Sequence, residues 1–249
     1  MDHVLLTRAR GQNESLASRL EAMSLAPVIE PMLEVEPRPV DAGMKQLAMD
    51  LDRFDHVIFV SRNAVHYGLA LLDQYWPQWP SGLKWHAVGQ ATAEDLRARD
   101  LSPAVPDQAS SEGLLASGVF DQAAGAKILI VRGDGGREYL AQALTSRGAE
   151  VSYLQVYQRR PRRLGKAARR ALEQLHPEVA VVYSGETLEA LIANLEGGCG
   201  DVSIVVPSDR VGKLARASGF KRVVVAAGMD EVSMAEAVQQ ALDPDKNQI

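Results

Sequence analysis

Apolar positions along the chain follow two alternating rhythms. Short continuous runs such as Val4-Leu-Leu6, Val57-Ile-Phe-Val60, Ile128-Leu-Ile-Val131 and Val179-Ala-Val-Val182 read as strands buried on both faces. Between them apolar residues recur at helical spacing, as at Leu16 and Leu20, at Val65, Leu69 and Leu72, and at Leu188, Leu191, Ile192 and Leu195. That spacing predicts amphipathic helices covering a parallel sheet.

The same unit is written twice. Val4-Leu-Leu-Thr-Arg8 leads into Leu16 and Leu20, and Ile128-Leu-Ile-Val-Arg132 leads into Leu140 and Leu144; each matched residue lies 124 positions from its partner. Both copies read as strand, polar turn, helix and second strand, the last over 27–35 and 150–157. A second pair sets Val57-Ile-Phe-Val-Ser61 and its helix against Val179-Ala-Val-Val-Tyr-Ser184 and its helix. A third sets 85–89, with a helix through Leu96, against 202–206, with a helix through Leu214; 110–115 and 232–237 form a weaker fourth. The repeat predicts an α/β fold of two doubly wound parallel-sheet lobes with right-handed crossovers. At 249 residues a single large α/β domain is the alternative.

Two Pro-rich extended segments, 33–40 and 158–163, each follow the second strand of a strand-helix-strand unit. Read as a two-stranded linker at about 36–39 and 157–162, they make one lobe discontinuous, 1–36 plus 163–249, and the other continuous, 39–156.

Composition narrows the function classes. No apolar run approaches the roughly 20 residues of a membrane helix, and Met1-Asp2-His3-Val4 enters a strand with no basic region before it. The single cysteine, Cys199, allows no internal disulfide, which suits a reducing cytoplasm. A net charge of −5 gives no help toward nucleic acid or acidic membrane, so an anionic ligand needs local donors. The polar segment 243–249 is expected to fray.

Such donors stand where the fold puts ligands, beyond the carboxyl ends of the strands. They are Thr7 and Arg8; Ser61, Arg62 and Asn63; Gly89 and Thr92; Arg132, Gly133 and Arg137; Ser184 and Gly185; and Ser208 in Pro207-Ser-Asp-Arg210. Ser61, Ser184 and Ser208 also read as helix N-caps, Gly89 and Gly133 as turn formers, and Arg8 and Arg132 as partners of surface carboxylates. Recurrence at the same point of both lobes favours an anion-binding cleft. Tyr157 ends a strand just before the linker, where its phenol either donates a proton or packs the linker.

Other chemistries lack their motifs. Gly133-Asp-Gly-Gly136 matches neither phosphate-loop pattern, and Asp134 opposes a pyrophosphate. His3, His56, His66, His86 and His176 show no metal-ligand spacing, with His56 and His86 placed for packing. Cys199, in Gly197-Gly-Cys-Gly200, has no neighbouring base. The basic run Arg159-Arg-Pro-Arg-Arg163, extended by Lys166, Arg169 and Arg170, has no interleaved aromatics and reads as solvated linker and helix face.

Four blocks, taken in order, resemble those of uroporphyrinogen-III synthases: Val57-Ile-Phe-Val-Ser-Arg-Asn-Ala-Val65, Ala87-Val-Gly-Gln-Ala-Thr-Ala93, Ile130-Val-Arg-Gly-Asp-Gly-Gly-Arg-Glu138 and Gly148-Ala-Glu-Val-Ser-Tyr-Leu-Gln-Val-Tyr-Gln158. Order and spacing agree from about residue 3 to 240. The resemblance implies two α/β lobes on a two-stranded linker, the N-terminal strands belonging with the C-terminal lobe. It implies a lyase that cyclises hydroxymethylbilane with loss of water and inversion of ring D, needing no cofactor and no metal. A cytoplasmic monomer without nucleic-acid or membrane partners is expected.

By the same resemblance Tyr157 matches the tyrosine proposed to assist departure of the hydroxyl, and Thr92 the threonine of a Gly-x-x-Thr block lining the cleft. Ser184-Gly185 resembles the family's serine turn. Pro207-Ser-Asp-Arg210 departs from the usual Gly-Pro-Thr-Thr, with Ser208 left as the hydroxyl there. The rival readings are a non-catalytic two-lobed receptor for a small anion and a two-lobed glycosyltransferase, the latter requiring nucleotide-sugar binding.

Overall fold

The computed structural model describes residues 1–136, 138–195 and 202–243. The chain begins with β1 (His3–Leu6), α1 (Glu14–Ala22), β2 (Ala26–Ile29) and β3 (Leu33–Pro37). There follow α2 (Ala42–Met49), β4 (His56–Phe59), α3 (Arg62–Leu72), β5 (Lys84–Ala87), α4 (Gln90–Arg97), α5 (Ser111–Ala116), β6 (Lys127–Gly133), α6 (Tyr139–Ser146) and β7 (Glu150–Pro161). The remainder is α7 (Lys166–Leu175), β8 (Val179–Val181), α8 (Gly185–Ile192), β9 (Ser203–Val206), α9 (Asp209–Ala217), β10 (Val223–Val225) and α10 (Glu231–Leu242).

These elements divide into two compact units. Unit 1 comprises Met1–Glu34 together with the chain from Arg160 onward, and unit 2 is Val35–Arg159. The chain passes from unit 1 to unit 2 within β3 and back within β7.

Unit 1 carries a sheet of order β10-β9-β8-β1-β2, parallel at every pair. Unit 2 carries the order β3-β7-β6-β4-β5, with β5, β4, β6 and β7 parallel and Ala104 bridging beyond β5 at His86. The repeat accounts for both. Adding 124 carries β1 and β2 onto β6 and β7, while β8 and β9 correspond to β4 and β5. Thus β2-β1-β8-β9 in one sheet matches β7-β6-β4-β5 in the other, although the chain visits them in a different order.

Alternation along the central strands feeds two cores per sheet. In unit 2, Val57, Phe59, Leu129 and Val131 face Leu69 and Leu72 of α3, while Ile58, Ile128 and Ile130 face Leu140 and Leu144 of α6. In unit 1, Val4, Leu6 and Val181 pack under α1 and α10, and Leu5, Ala180 and Ile204 under α8 and α9. Each fully buried Leu, Val, Ile or Phe contributes about 1.5–3 kcal/mol relative to exposure, which is why continuous apolar runs become interior parallel strands. Helix α3 lies so close to its sheet that a Cβ on Gly68 would stand 2.6 Å from Val131 Cγ1.

Several boundaries differ from the sequence reading. The single strand expected over 27–35 is two strands, β2 and β3, which belong to different sheets. Pro31, with no N–H, interrupts the ladder, and the next amide, Met32, donates to the Thr7 carbonyl at 3.0 Å. Tyr157 does not end its strand, because β7 runs on to Pro161. Leu195 lies past the end of α8, and Leu214 is 42% exposed on α9.

Candidate active site

In unit 2 the neighbours β4 and β6 send their following connections to opposite sides of the sheet, toward β5 and toward β7. A doubly wound sheet opens a crevice at that point, beyond the strands' carboxyl ends. A cavity of about 380 Å³ lies there, lined among others by Ser61, Ser110, Arg132, Gly133, Tyr153 and Tyr157. That is within the range of small-molecule sites, roughly 300–1,000 Å³.

Ser61 follows β4 with extended backbone and caps α3: its Oγ accepts from the Ala64 amide at 3.1 Å. The same Oγ lies 3.1 Å from the Tyr157 hydroxyl. Tyr157 reaches it through a slip in register. Arg132 pairs with Gln155, but the next residue, Gly133, pairs with Tyr157, so β7 carries one extra residue at Val156. Bulges of this kind re-aim a side chain. Here Val156 and Tyr157, adjacent in sequence, both join the core beneath α3. The phenol ring lies over Gly133, where a Cβ would stand 2.6 Å from its Cζ. The Tyr157 carbonyl accepts from the Asp134 amide at 2.7 Å, and Tyr67 packs at 6.0 Å between ring centroids.

Arg132, the penultimate residue of β6, is only 6% exposed. Its guanidinium lies over the Tyr153 ring, 4.8 Å from the centroid, donates to Glu138 Oε1 at 3.1 Å and donates to the Gly135 carbonyl. Glu138 Oε2 accepts from the Tyr153 hydroxyl at 2.5 Å. Burial, followed by that bond to Glu138, pushes the Tyr153 phenol up to about 12. The Tyr153 hydrogen bond, with Arg132 adding to it, holds the Glu138 carboxyl below its usual range.

The remaining candidates of unit 2 stand off this cavity. Arg62 pairs with Asp95 of α4 at 2.8 and 3.0 Å. Asn63 is half-buried at the second position of α3, and Thr92 is buried in the first turn of α4. Arg137 lies outside the described residues, as do Cys199 with its glycines and the polar tail beyond Asp243. Sequence reasoning missed Tyr153, Ser110 and Glu138. Tyr153 was within reach, since it stands four residues before Tyr157 on the same strand; nothing in the sequence pointed to the other two.

Unit 1 presents its own strand ends. Thr7 is fully buried and its hydroxyl donates to the Val181 carbonyl at 2.6 Å, so it ties β1 to β8 and offers nothing to a ligand. Arg8, the repeat partner of Arg132, stacks 4.4 Å above the Tyr183 ring. Burial raises the Tyr183 phenol, with Arg8 offsetting part of that. Ser184 caps α8, accepting from the Thr187 amide at 3.1 Å, and Gly185 opens that helix. Ser208 precedes α9 but makes no capping bond.

His56, at the start of β4, and His86, in β5, form a buried pair with Nδ1 and Nε2 2.9 Å apart. Both stack near Phe120. Among the described residues no three His, Cys, Asp or Glu side chains group as a metal site, and no helix is long and apolar enough to cross a membrane.

Comparison with known proteins is consistent across sequence and structure. The family model of uroporphyrinogen-III synthase HemD matches residues 14–236. The uroporphyrinogen-III synthase of Escherichia coli K12 is 31% identical over 247 residues, covering 95% of this chain and 99% of its own. That of Salmonella typhimurium LT2 is 33% identical over 246 residues with the same coverage. Among solved structures, the Helicobacter pylori uroporphyrinogen-III synthetase superposes with a TM-score of 0.63 at 14% identity, over 98% of this chain and 100% of that one. A mutant Thermus thermophilus uroporphyrinogen III synthase gives 0.56 at 18% identity with the same coverage, a likeness of fold alone.

Proposed function

The chain belongs to the uroporphyrinogen-III synthase family, and on that premise we propose that the cavity of unit 2 receives the reacting end of hydroxymethylbilane. The activity is a cyclising lyase step of haem biosynthesis: the linear tetrapyrrole loses water and closes with its last ring inverted. In this reading Tyr157 protonates the departing hydroxyl, the carbon–oxygen bond breaks, and water leaves. The resulting cation is spread over the pyrrole system, so the protein supplies little covalent chemistry. The phenolate left behind accepts a hydrogen bond from Ser61 Oγ at the N-terminus of α3, where partial positive charge favours an anion. It recovers its proton when ring closure releases one from the attacking pyrrole carbon.

The observation that carries this reading is the Tyr157 hydroxyl, held 3.1 Å from Ser61 Oγ in a cavity also lined by Arg132 and Gly133. Substrate acetate and propionate arms need charge-assisted partners, and Arg132 is the buried cation on that wall. Arg8, Ser184, Gly185 and Ser208 of unit 1 are proposed as further carboxylate donors on the strength of their own strand-end positions. The protein is taken to act as a monomer in the cytoplasm without nucleic-acid or membrane partners; its single cysteine suits a reducing compartment, and a net charge of −5 gives no help toward polyanions.

Purified protein given freshly made hydroxymethylbilane is expected to yield the type III isomer. Formation of type I alone, at the spontaneous rate, would reject the enzymatic reading.

A further inference from the structure

The carboxylate of Glu138 is held as a substrate carboxylate would be. One oxygen accepts from Arg132 Nη1 at 3.1 Å and the other from the Tyr153 hydroxyl at 2.5 Å. Both partners line the cavity. Arg132 has a side chain only 7% exposed, whereas that of Glu138 is 53% exposed and arrives from just before α6. A buried guanidinium and a phenol on the cavity wall are therefore filled by a carboxylate that reaches them from solvent.

Resting on the function proposed above, we infer that Arg132 and Tyr153 form a subsite for one carboxylate arm of the tetrapyrrole, and that Glu138 is its internal stand-in, displaced when the arm binds. A buried cation left without an anion carries a heavy desolvation penalty, so an internal carboxylate keeps the empty site intact. Exchanging one carboxylate for another preserves the charge at Arg132, and the half-exposed Glu138 returns to water. The Gly135 carbonyl and the Tyr153 face keep the guanidinium oriented during the exchange. Displacement has a consequence for affinity: an occupied site lowers apparent binding by the fraction of protein in which the subsite is open.

Steady-state kinetics with hydroxymethylbilane separate this role from a merely positioning one. Glu138→Gln keeps the shape and removes the competing charge. Its KM is expected to fall by about 10-fold with kcat within about two-fold of the parent. Tyr153→Phe is expected to raise KM, and adding it to Glu138→Gln should cancel much of the gain. If Glu138 instead holds Arg132 in place, Glu138→Gln will raise KM or leave it unchanged, and the inference fails. Should Glu138→Gln not fold, Glu138→Ser poses the same question with the same opposed outcomes. A parent protein that forms no type III isomer sinks the function itself, a result distinct from a parent that turns over while its Glu138 variants show no fall in KM.

Discussion

Gly133 and Tyr157 face each other across β6 and β7 at the one point where the register between those strands slips. The missing side chain at 133 is the space the phenol occupies, since a Cβ there would stand 2.6 Å from the ring's Cζ. The glycine's role is close approach, not a turn. Gly133→Ala should push the ring away from Ser61, and misplacement by an ångström at a reacting group is worth about 10²-fold in rate. A fall of that order in kcat, with the fold retained by circular dichroism, is the expected result; parent-like kcat would show that the ring tolerates the shift.

Tyr157→Phe tests the hydroxyl without moving the ring. General acid assistance contributes about 10²–10⁴-fold. The lower end is expected here, because the pyrroles themselves stabilise the cation. The loss should fall on kcat with KM little changed, measured as type III isomer formed in a coupled assay. An unchanged kcat would remove the acid role and leave Tyr157 as packing.

The His56–His86 pair predicts an acid-labile unit 2. Burial, then the neighbouring His56 and Lys84, lower His86 from 6.5 to about 3, and burial lowers His56 as well. The neutral form is the one that fits the fold, so the unfolded chain binds more protons between those two values. Stability is therefore complete above about pH 6.5 and declines as pH falls toward 3, by about 1.4 kcal/mol per pH unit for His86. At pH 5 the loss is about 2 kcal/mol relative to pH 7. Urea midpoints at the two pH values measure it, and His86→Gln should flatten the difference.

How much of this was legible beforehand depends on the range of the interaction involved. Parallel strands declare themselves because burial on both faces demands runs such as Val57-Ile-Phe59, and the 124-residue repeat exposed the correspondence of the two sheets. Strand-end logic singled out Ser61, Arg132, Gly133 and Tyr157, which one cavity gathers. What stayed hidden depended on neighbours far along the chain. Thr7 spends its hydroxyl on a carbonyl 174 positions away, and Arg62 finds Asp95 33 positions on, a partner no local pattern reveals. The break at Pro31 was visible as a residue but not as a change of sheet, because the apolar rhythm continues through Met32 and Leu33. The extra residue at Val156 cannot be placed from β7 alone, since the slip exists only in its pairing with β6.

Asn194 shows the same long reach in unit 1 and yields a prediction about stability alone. It lies two residues past α8, 8% exposed, with Oδ1 accepting from the Leu164 amide at 2.9 Å. Its Nδ2 donates to the carbonyls of Arg162 and Ala190, each at 2.8 Å. One side chain thus satisfies backbone groups of the segment that follows β7 as well as the end of its own helix. Asn194→Ala removes both directions of that bridge and leaves the Leu164 amide buried with no acceptor. An unsatisfied buried group costs about 1–3 kcal/mol, so with the donor side also lost a fall of about 2–4 kcal/mol is expected. Urea unfolding should show a lower midpoint at unchanged slope, the sign of lost stability rather than altered compactness.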